Sequence, residues 1–160
     1  MVCSNQIRQN AGGGQFEAKY KSPGGESVGF YSSLRLRTYQ PEKIWKELTV
    51  AGKKTKRVIG VRTQIEVFKS TIWKPYRTAP LTILFDYGID DVRQNLQFIK
   101  DYTKATIYSI PRETDLDKSM DKSIEIVETE GYEELLRENV IDLWEEIEGK
   151  FDSKRKTKQR

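Results

Sequence analysis

The stretch Asn5–Arg37, "NQIRQNAGGGQFEAKYKSPGGESVGFYSSLRLR", decides how the rest of the chain is read. A polar cluster leads into three glycines, then lysines and aromatics, then a second glycine pair, then an alternating run. Gln9–Gly25 has no hydrophobic period and carries five glycines, so it reads as a loop. Seventeen residues is long for a connection inside a compact domain, and loops of that length are functional or disordered more often than not. Met1–Ile7 reads as the end of a strand. Phe30–Tyr39 reads as the next one, with Phe30, Ser32, Leu34 and Leu36 on one face and Tyr31, Ser33, Arg35 and Arg37 on the other.

Charge divides sharply along the chain. Residues 1–80 hold 15 Lys and Arg against five Asp and Glu, residues 81–152 hold eight against 19, and residues 153–160 hold five against none. Such a division suggests a basic binding surface and a separate acidic module; the plainer reading is two solvated faces of one globule. The basic half continues as strands and turns. Pro41–Arg57 is a charged excursion with Trp45, and "AGKKTKR" within it looks like a basic hairpin tip. Val58–Phe68 alternates, with Val61, Thr63, Ile65 and Val67 sharing a face, and Leu81–Phe85 is a short apolar strand. The acidic half is helical. Asp90 and Asp91 are placed to cap a helix carrying Val92, Leu96 and Ile99. "TIYSI" suggests a short strand, and Asp117 is placed to cap a helix with Met120, Ile124 and Val127. Leu136, Val140, Leu143, Ile147 and Phe151 then form a helical stripe. "DSKRKTKQR" has no apolar residue and reads as a disordered basic tail.

Composition excludes several chemistries. The chain has no histidine and a single cysteine, Cys3, so a zinc site of the usual ligand types and any Ser-His or Cys-His arrangement are ruled out. Cys3 has no internal disulfide partner, which fits a reducing compartment. No apolar run approaches the roughly 20 residues of a membrane span, and no secretory leader is evident, so a cytoplasmic location away from membranes is expected.

The order of the pieces resembles the RecA family of homologous-recombination proteins. The resemblance rests on Asn5-Gln6-Ile7-Arg8, Gly24-Gly25, Phe30-Tyr31-x-Ser33-x-Arg35-Leu36, and Lys69 with Pro75, and it covers roughly residues 2–100. It implies an α/β fold: the second half of a RecA core sheet, with most strands in residues 1–88, and then a small helical or α+β C-terminal module. The corresponding domains are 1–105 for the core, 106–152 for the acidic module and 153–160 for the tail. By the resemblance, residues 8–25 form a single-stranded DNA-binding loop. Arg8, Lys19 and Lys21 would supply charge and Phe16 and Tyr20 stacking faces, while Gly12, Gly13, Gly14, Gly24 and Gly25 let amides approach phosphates. Glu26 departs from the family pattern, and no phosphate contact is assigned there. Gln6 would sense a nucleotide's terminal phosphate, Lys69 would reach a neighbouring subunit's ATP, and Phe30 would sit at the subunit interface. Thr71 stands where the family often has a second lysine, which weakens the ATP contact.

A phosphate-cradling G-x-x-x-x-G-K-[ST] loop does not occur in the 160 residues. The expectation is therefore a recombination and repair protein that binds single-stranded DNA, as a fragment or split-gene half. No ATP hydrolysis is expected of it alone, and ATP with magnesium enters only when a RecA-type N-terminal half or neighbouring RecA-like subunits complete a filament. Taken without the family pattern, most glycine-rich loops are plain surface connections. Gln6 and Lys69 would then be a strand-end cap and an edge charge, and Phe30 a core residue. The alternative is a non-enzymatic nucleic-acid-binding or protein-interaction domain unrelated to RecA.

Overall fold

A computed structural model describes residues 2–6, 8–9, 20–21, 25–153 and 155. The protein is mixed α/β, with an antiparallel sheet and helices, and its chain divides into two compact units. The first comprises 1–39 and 64–79, the second 40–63 and 80–160.

In the first unit, residues 2–6 have no regular structure, and the expected strand is absent there. Two short strands follow, β1 (Arg8–Gln9) and β2 (Tyr20–Lys21), paired antiparallel with Arg8 opposite Lys21. The first two residues of the expected Phe30–Tyr39 strand, Phe30 and Tyr31, instead end a helix, α1 (Gly25–Tyr31), and the strand itself is β3 (Leu34–Thr38). The cause is not local: Lys69, about 40 residues away, grips the end of α1, as described below. β3 pairs antiparallel with the last third of β5 (Lys53–Ser70), from Leu34 opposite Ser70 to Thr38 opposite Ile65. Its two faces are buried against hydropathy: Arg35 and Arg37 are half-buried while Leu34 and Leu36 are exposed.

In the second unit, β4 (Glu42–Val50) and the start of β5 form the expected hairpin. Ala51 and Gly52 make its two-residue turn with φ of 50° and 78°. Positive φ at both central positions gives a twist matching the strands, and this is why Gly follows there. Ala51 adopts it against its own preference. β6 (Thr78–Leu84) lies on the other side of β5 and pairs with the short β7 (Gly88–Ile89). Gly60 of β5 is buried, and a Cβ there would overlap the Ile83 carbonyl oxygen and lie 3.2 Å from Leu84 Cα.

Asp90 caps α2 (Asp91–Thr103), accepting from the Arg93 amide at 3.2 Å, as expected from the sequence. The same carboxylate takes Arg93 Nε at 2.8 Å, and Arg93 reaches Asp121 at 3.0 Å. A small hairpin, β8 (Ser109–Ile110) and β9 (Thr114–Asp115), leads into α3 (Met120–Glu130) and α4 (Glu133–Lys150). Among the described residues, the buried apolar core is Val92, Leu96 and Ile99 of α2, Tyr108 and Ile110 at β8, Val127 of α3 and Leu136 of α4. Residues from both sides of position 105 thus share one core, so α2 packs with the helices that follow it. Phe151, expected at the end of the α4 stripe, is exposed. Buried Ser123 bonds the carbonyls of Ser119 and Asp117 at 2.9 and 3.2 Å. Asp117 accepts from the Ser119 amide at 2.7 Å, so it orders the turn into α3 while Ser119 holds the cap position. No helix among the described residues is long and apolar enough to cross a membrane.

The two glycine-region geometries predict opposite signs in urea denaturation. Gly60→Ala should lose about 1–3 kcal/mol, because its new methyl meets backbone that cannot yield. Ala51→Gly should gain up to about 1 kcal/mol by relieving a left-handed alanine.

Candidate nucleic-acid interface

The candidate residues fall into two groups within the first unit. Arg8 is exposed at the start of β1, and its register partner is Lys21. A two-residue ladder cannot stand alone for long, yet it brings the two ends of the glycine-rich segment together with a basic residue on each strand. Tyr20 precedes Lys21 in β2, opposite Gln9. Gly25 opens α1. Gly12, Gly13, Gly14, Phe16, Lys19 and Gly24 lie outside the described residues. Gln6 is exposed, two residues ahead of β1.

The second group surrounds the end of α1. The Lys69 ammonium donates to the carbonyl oxygens of Gly29 and Phe30, both at 2.9 Å. Those carbonyls have no partner within a helix that ends at Tyr31, and a cation is the natural group to satisfy them. Ser32 Oγ adds a bond to Gly29 at 3.1 Å. The Thr71 amide donates to the Ser33 carbonyl at 2.9 Å, fixing the chain between α1 and β3. Lys69 therefore does not extend freely from a sheet edge; among the described residues its polar contacts are to α1, and Gln6 is not one of them. Phe30 is 77% exposed and meets Tyr31 edge-on at 5.4 Å, so among the described residues it packs into no core.

Beside this point the basic residues of β3 are already engaged. Arg37 lies over the Phe68 ring at 3.7 Å and Arg35 lies 5.2 Å from the same centroid. Such stacking is attractive because a guanidinium meets the negative face of the ring. Arg37 also lies 3.8 Å from Glu66, which accepts the Tyr39 phenol hydrogen at 2.7 Å. That hydrogen bond holds the Tyr39 phenol above its ordinary range. Ser70 Oγ accepts from the amides of Ile72 and Trp73, at 3.2 and 3.0 Å, and turns the chain after β5. Sequence reasoning missed the arginine–Phe68 stack. Its signal was the strand period itself, which puts Arg35 and Arg37 on a common face.

Residues 1–90 match the model of the RecA N-terminal domain. The chain belongs to the RecA family. Protein RecA of Staphylococcus carnosus (strain TM300) is 34% identical over 88 residues, which cover 55% of this chain and 22% of that protein. Protein RecA of Staphylococcus aureus (strain JH9) is also 34% identical over 88 residues, 55% of this chain and 23% of that protein. The matched stretch thus spans less than a quarter of these curated relatives.

Removing the Lys69 ammonium should loosen α1 without unfolding the rest. Lys69→Met keeps the aliphatic stem, strands the Phe30 carbonyl and leaves the Gly29 carbonyl to Ser32 Oγ. Hydrogen exchange at the Ser32 amide, which donates to the Val28 carbonyl at 3.3 Å, should then accelerate severalfold. Amides of Leu96 and Val127 should keep their wild-type protection.

Proposed function

We propose that this protein binds single-stranded DNA in homologous recombination and repair, working as part of a RecA-like assembly. In this reading residues 2–100 correspond to the second half of the RecA core. The observation that carries it is the pairing of β1 with β2, which puts Arg8 opposite Lys21 at the two ends of a glycine-rich, aromatic-bearing segment in a RecA-family chain. Backbone amides freed by glycine and cations at the base suit phosphates, and Phe16 and Tyr20 offer faces to unstacked bases. Duplex DNA, whose bases stay stacked, binds this segment less tightly.

The nucleotide chemistry is shared. The 160 residues contain no phosphate-cradling loop, and two side chains cannot replace the water around a triphosphate. ATP with magnesium is bound when a RecA-type N-terminal half or a neighbouring subunit supplies that loop. Lys69 then exchanges its α1 carbonyls for the neighbour's phosphates, and Gln6 couples the terminal phosphate to the DNA-binding segment. Because Lys69 binds the Phe30 carbonyl, that exchange also releases the helix end bearing Phe30, which suits a residue at the subunit boundary.

Two measurements test this. Anisotropy with a labelled single-stranded oligonucleotide should show affinity falling steeply with salt, as released counterions require. Arg8→Ala with Lys19→Ala and Lys21→Ala should weaken it at least tenfold; salt-independent binding, or unchanged affinity in this variant, would overturn the reading. Second, the chain alone should release no phosphate from ATP. Mixed with a full-length RecA or a co-expressed N-terminal half, it should support DNA-dependent release that Lys69→Ala reduces and Gln6→Ala uncouples from DNA.

A further inference from the structure

The outer side of α4 carries charge that the helical module leaves uncompensated. Leu136, Val140 and Leu143 turn one side of this helix into the core. Glu134, Glu138, Ile141 and Glu145 follow one another at spacings of three and four residues on the opposite side, with Asp142 beside them. All five are exposed, Ile141 to 44%. Glu134 meets Arg137 at 3.5 Å, and Lys150 is taken by Glu146 at 2.7 Å. Among the described residues, Glu138, Asp142 and Glu145 have no cation within ion-pair distance. Glu134 with Glu138, and Glu138 with Asp142, are like-charge pairs four residues apart, and each weakens a helix. None of these carboxylates takes part in the core, so packing does not require them.

We infer that the basic segment 153–160 folds back along this side of α4 and covers it, as a strap held by charge. The segment carries Lys154, Arg155, Lys156, Lys158 and Arg160 and no acid. Lys154 and 156–160 lie outside the described residues, but the chain already leaves the helix direction where the segment begins. The Phe151 amide donates to the Glu148 carbonyl at 3.1 Å and the Asp152 amide to the Gly149 carbonyl at 3.3 Å, which tightens the last turn. Ser153 Oγ then accepts from the Arg155 amide at 3.3 Å, a side-chain turn that bends the backbone instead of continuing the helix. Reach is sufficient. Residues 153–160, fully extended, span about 26 Å, and α4 rises roughly 21 Å between Glu134 and Glu148. Spacing fits as well. Lys154, Lys156, Lys158 and Arg160 alternate, so an extended segment presents them on one face about 6.7 Å apart. Carboxylates four residues apart on a helix lie about 6 Å apart. The aliphatic stems of these cations cover Ile141. Cations arriving from beyond a helix C-terminus also suit the negative end of its dipole. A single exposed ion pair contributes little, so closure needs several at once and yields to salt. Closed, the strap withholds the outer side of α4 from basic segments of other proteins.

The full chain without nucleic acid tests this, so the outcome is independent of the DNA-binding reading. Arg160→Cys in a Cys3→Ser background carries a nitroxide, whose broadening of amide signals reports which residues it visits. At ~50 mM salt the amides of Glu134 and Glu138, at the far end of α4, should broaden strongly; at ~500 mM the broadening should retreat to those near Lys150. Glu138→Gln, Asp142→Asn and Glu145→Gln together should reduce broadening at Glu134 and residue 138 at least threefold at low salt. The melting temperature of that variant should hold, because the core is untouched and like charges have gone. Lys154→Gln, Lys156→Gln and Lys158→Gln together should give the same loss with α4 unaltered. Isotope-labelled chain mixed with a separate spin-labelled chain should show no broadening. Broadening confined to the end of α4 at low salt overturns the proposal. So does broadening that survives either set of substitutions, or broadening in the mixed sample, which would place the contact between chains.

Discussion

Much of the second unit hangs on the absence of a side chain at Gly60. β4 runs along one side of this residue, with Ile44 as its register partner, and β6 approaches so closely on the other that a methyl would strike the Ile83 carbonyl. The register of β4 shifts immediately afterwards, between Ile44 and Trp45. A bulge beside a glycine lets a strand bend without losing its pairing further on. The consequences run along β6. Its Thr82 carbonyl accepts from the Asp90 amide at 3.0 Å, and Asp90 in turn caps α2 and holds Arg93. Arg93 then ties α2 to α3 through Asp121. A single strand-level constraint thus sets the starting point of the helical module.

Charge in the basic half does two different jobs, and the structure separates them. Lys69 satisfies helix-end carbonyls, Arg37 and Arg35 lie on Phe68, Lys54 pairs with Glu47 and Lys56 lies on Trp45. These cations are parts of the fold, and their availability to an anion depends on giving up a partner. Arg8 at β1 and Lys46, Lys53 and Arg57 of the hairpin are exposed. Net charge over a stretch of sequence therefore overstates the charge open to a ligand. What matters is which cations have no acid, ring or carbonyl of their own.

This distinction also marks what could be read from the amino-acid sequence. Elements whose cause is local were legible. Asp90 caps α2 as its position suggests, the apolar spacing of Val92, Leu96 and Ile99 marks the buried side of that helix, and Gly52 marks the turn of a hairpin. Elements whose cause is distant were not. Phe30 and Tyr31 alternate well enough with their neighbours to read as strand, but the helix that contains them ends on an ammonium from Lys69. The burial of β3 is inverted because Phe68 offers its ring to arginines, a preference invisible in hydropathy. The reading of the glycine-rich segment as a binding element came only from its family pattern, since composition alone does not distinguish such a segment from any surface connection. The β4–β5 hairpin needed register: "AGKKTKR" shows that lysines cluster, and only the cross-strand pairing shows which of them Glu47 and Trp45 take up.

Family and core divide the chain at almost the same place. The match to the RecA N-terminal domain ends at residue 90, and α2 begins at Asp91. Every buried apolar core residue described, from Val92 to Leu136, lies beyond that point. The family portion instead shows large apolar side chains to solvent, including Phe30, Tyr31, Ile72 and Tyr76, each at least 70% exposed. Exposed apolar surface of this kind is retained where something covers it, and is otherwise an aggregation hazard. The helical module can bury its own apolar surface, since α2, α3, α4 and β8 all contribute to one core. The sheet portion has no comparable core of its own among the described residues, which suits the assembly proposed above. Substitutions on that surface should therefore act first on association and only weakly on folding, whereas substitutions beyond residue 90 should do the reverse.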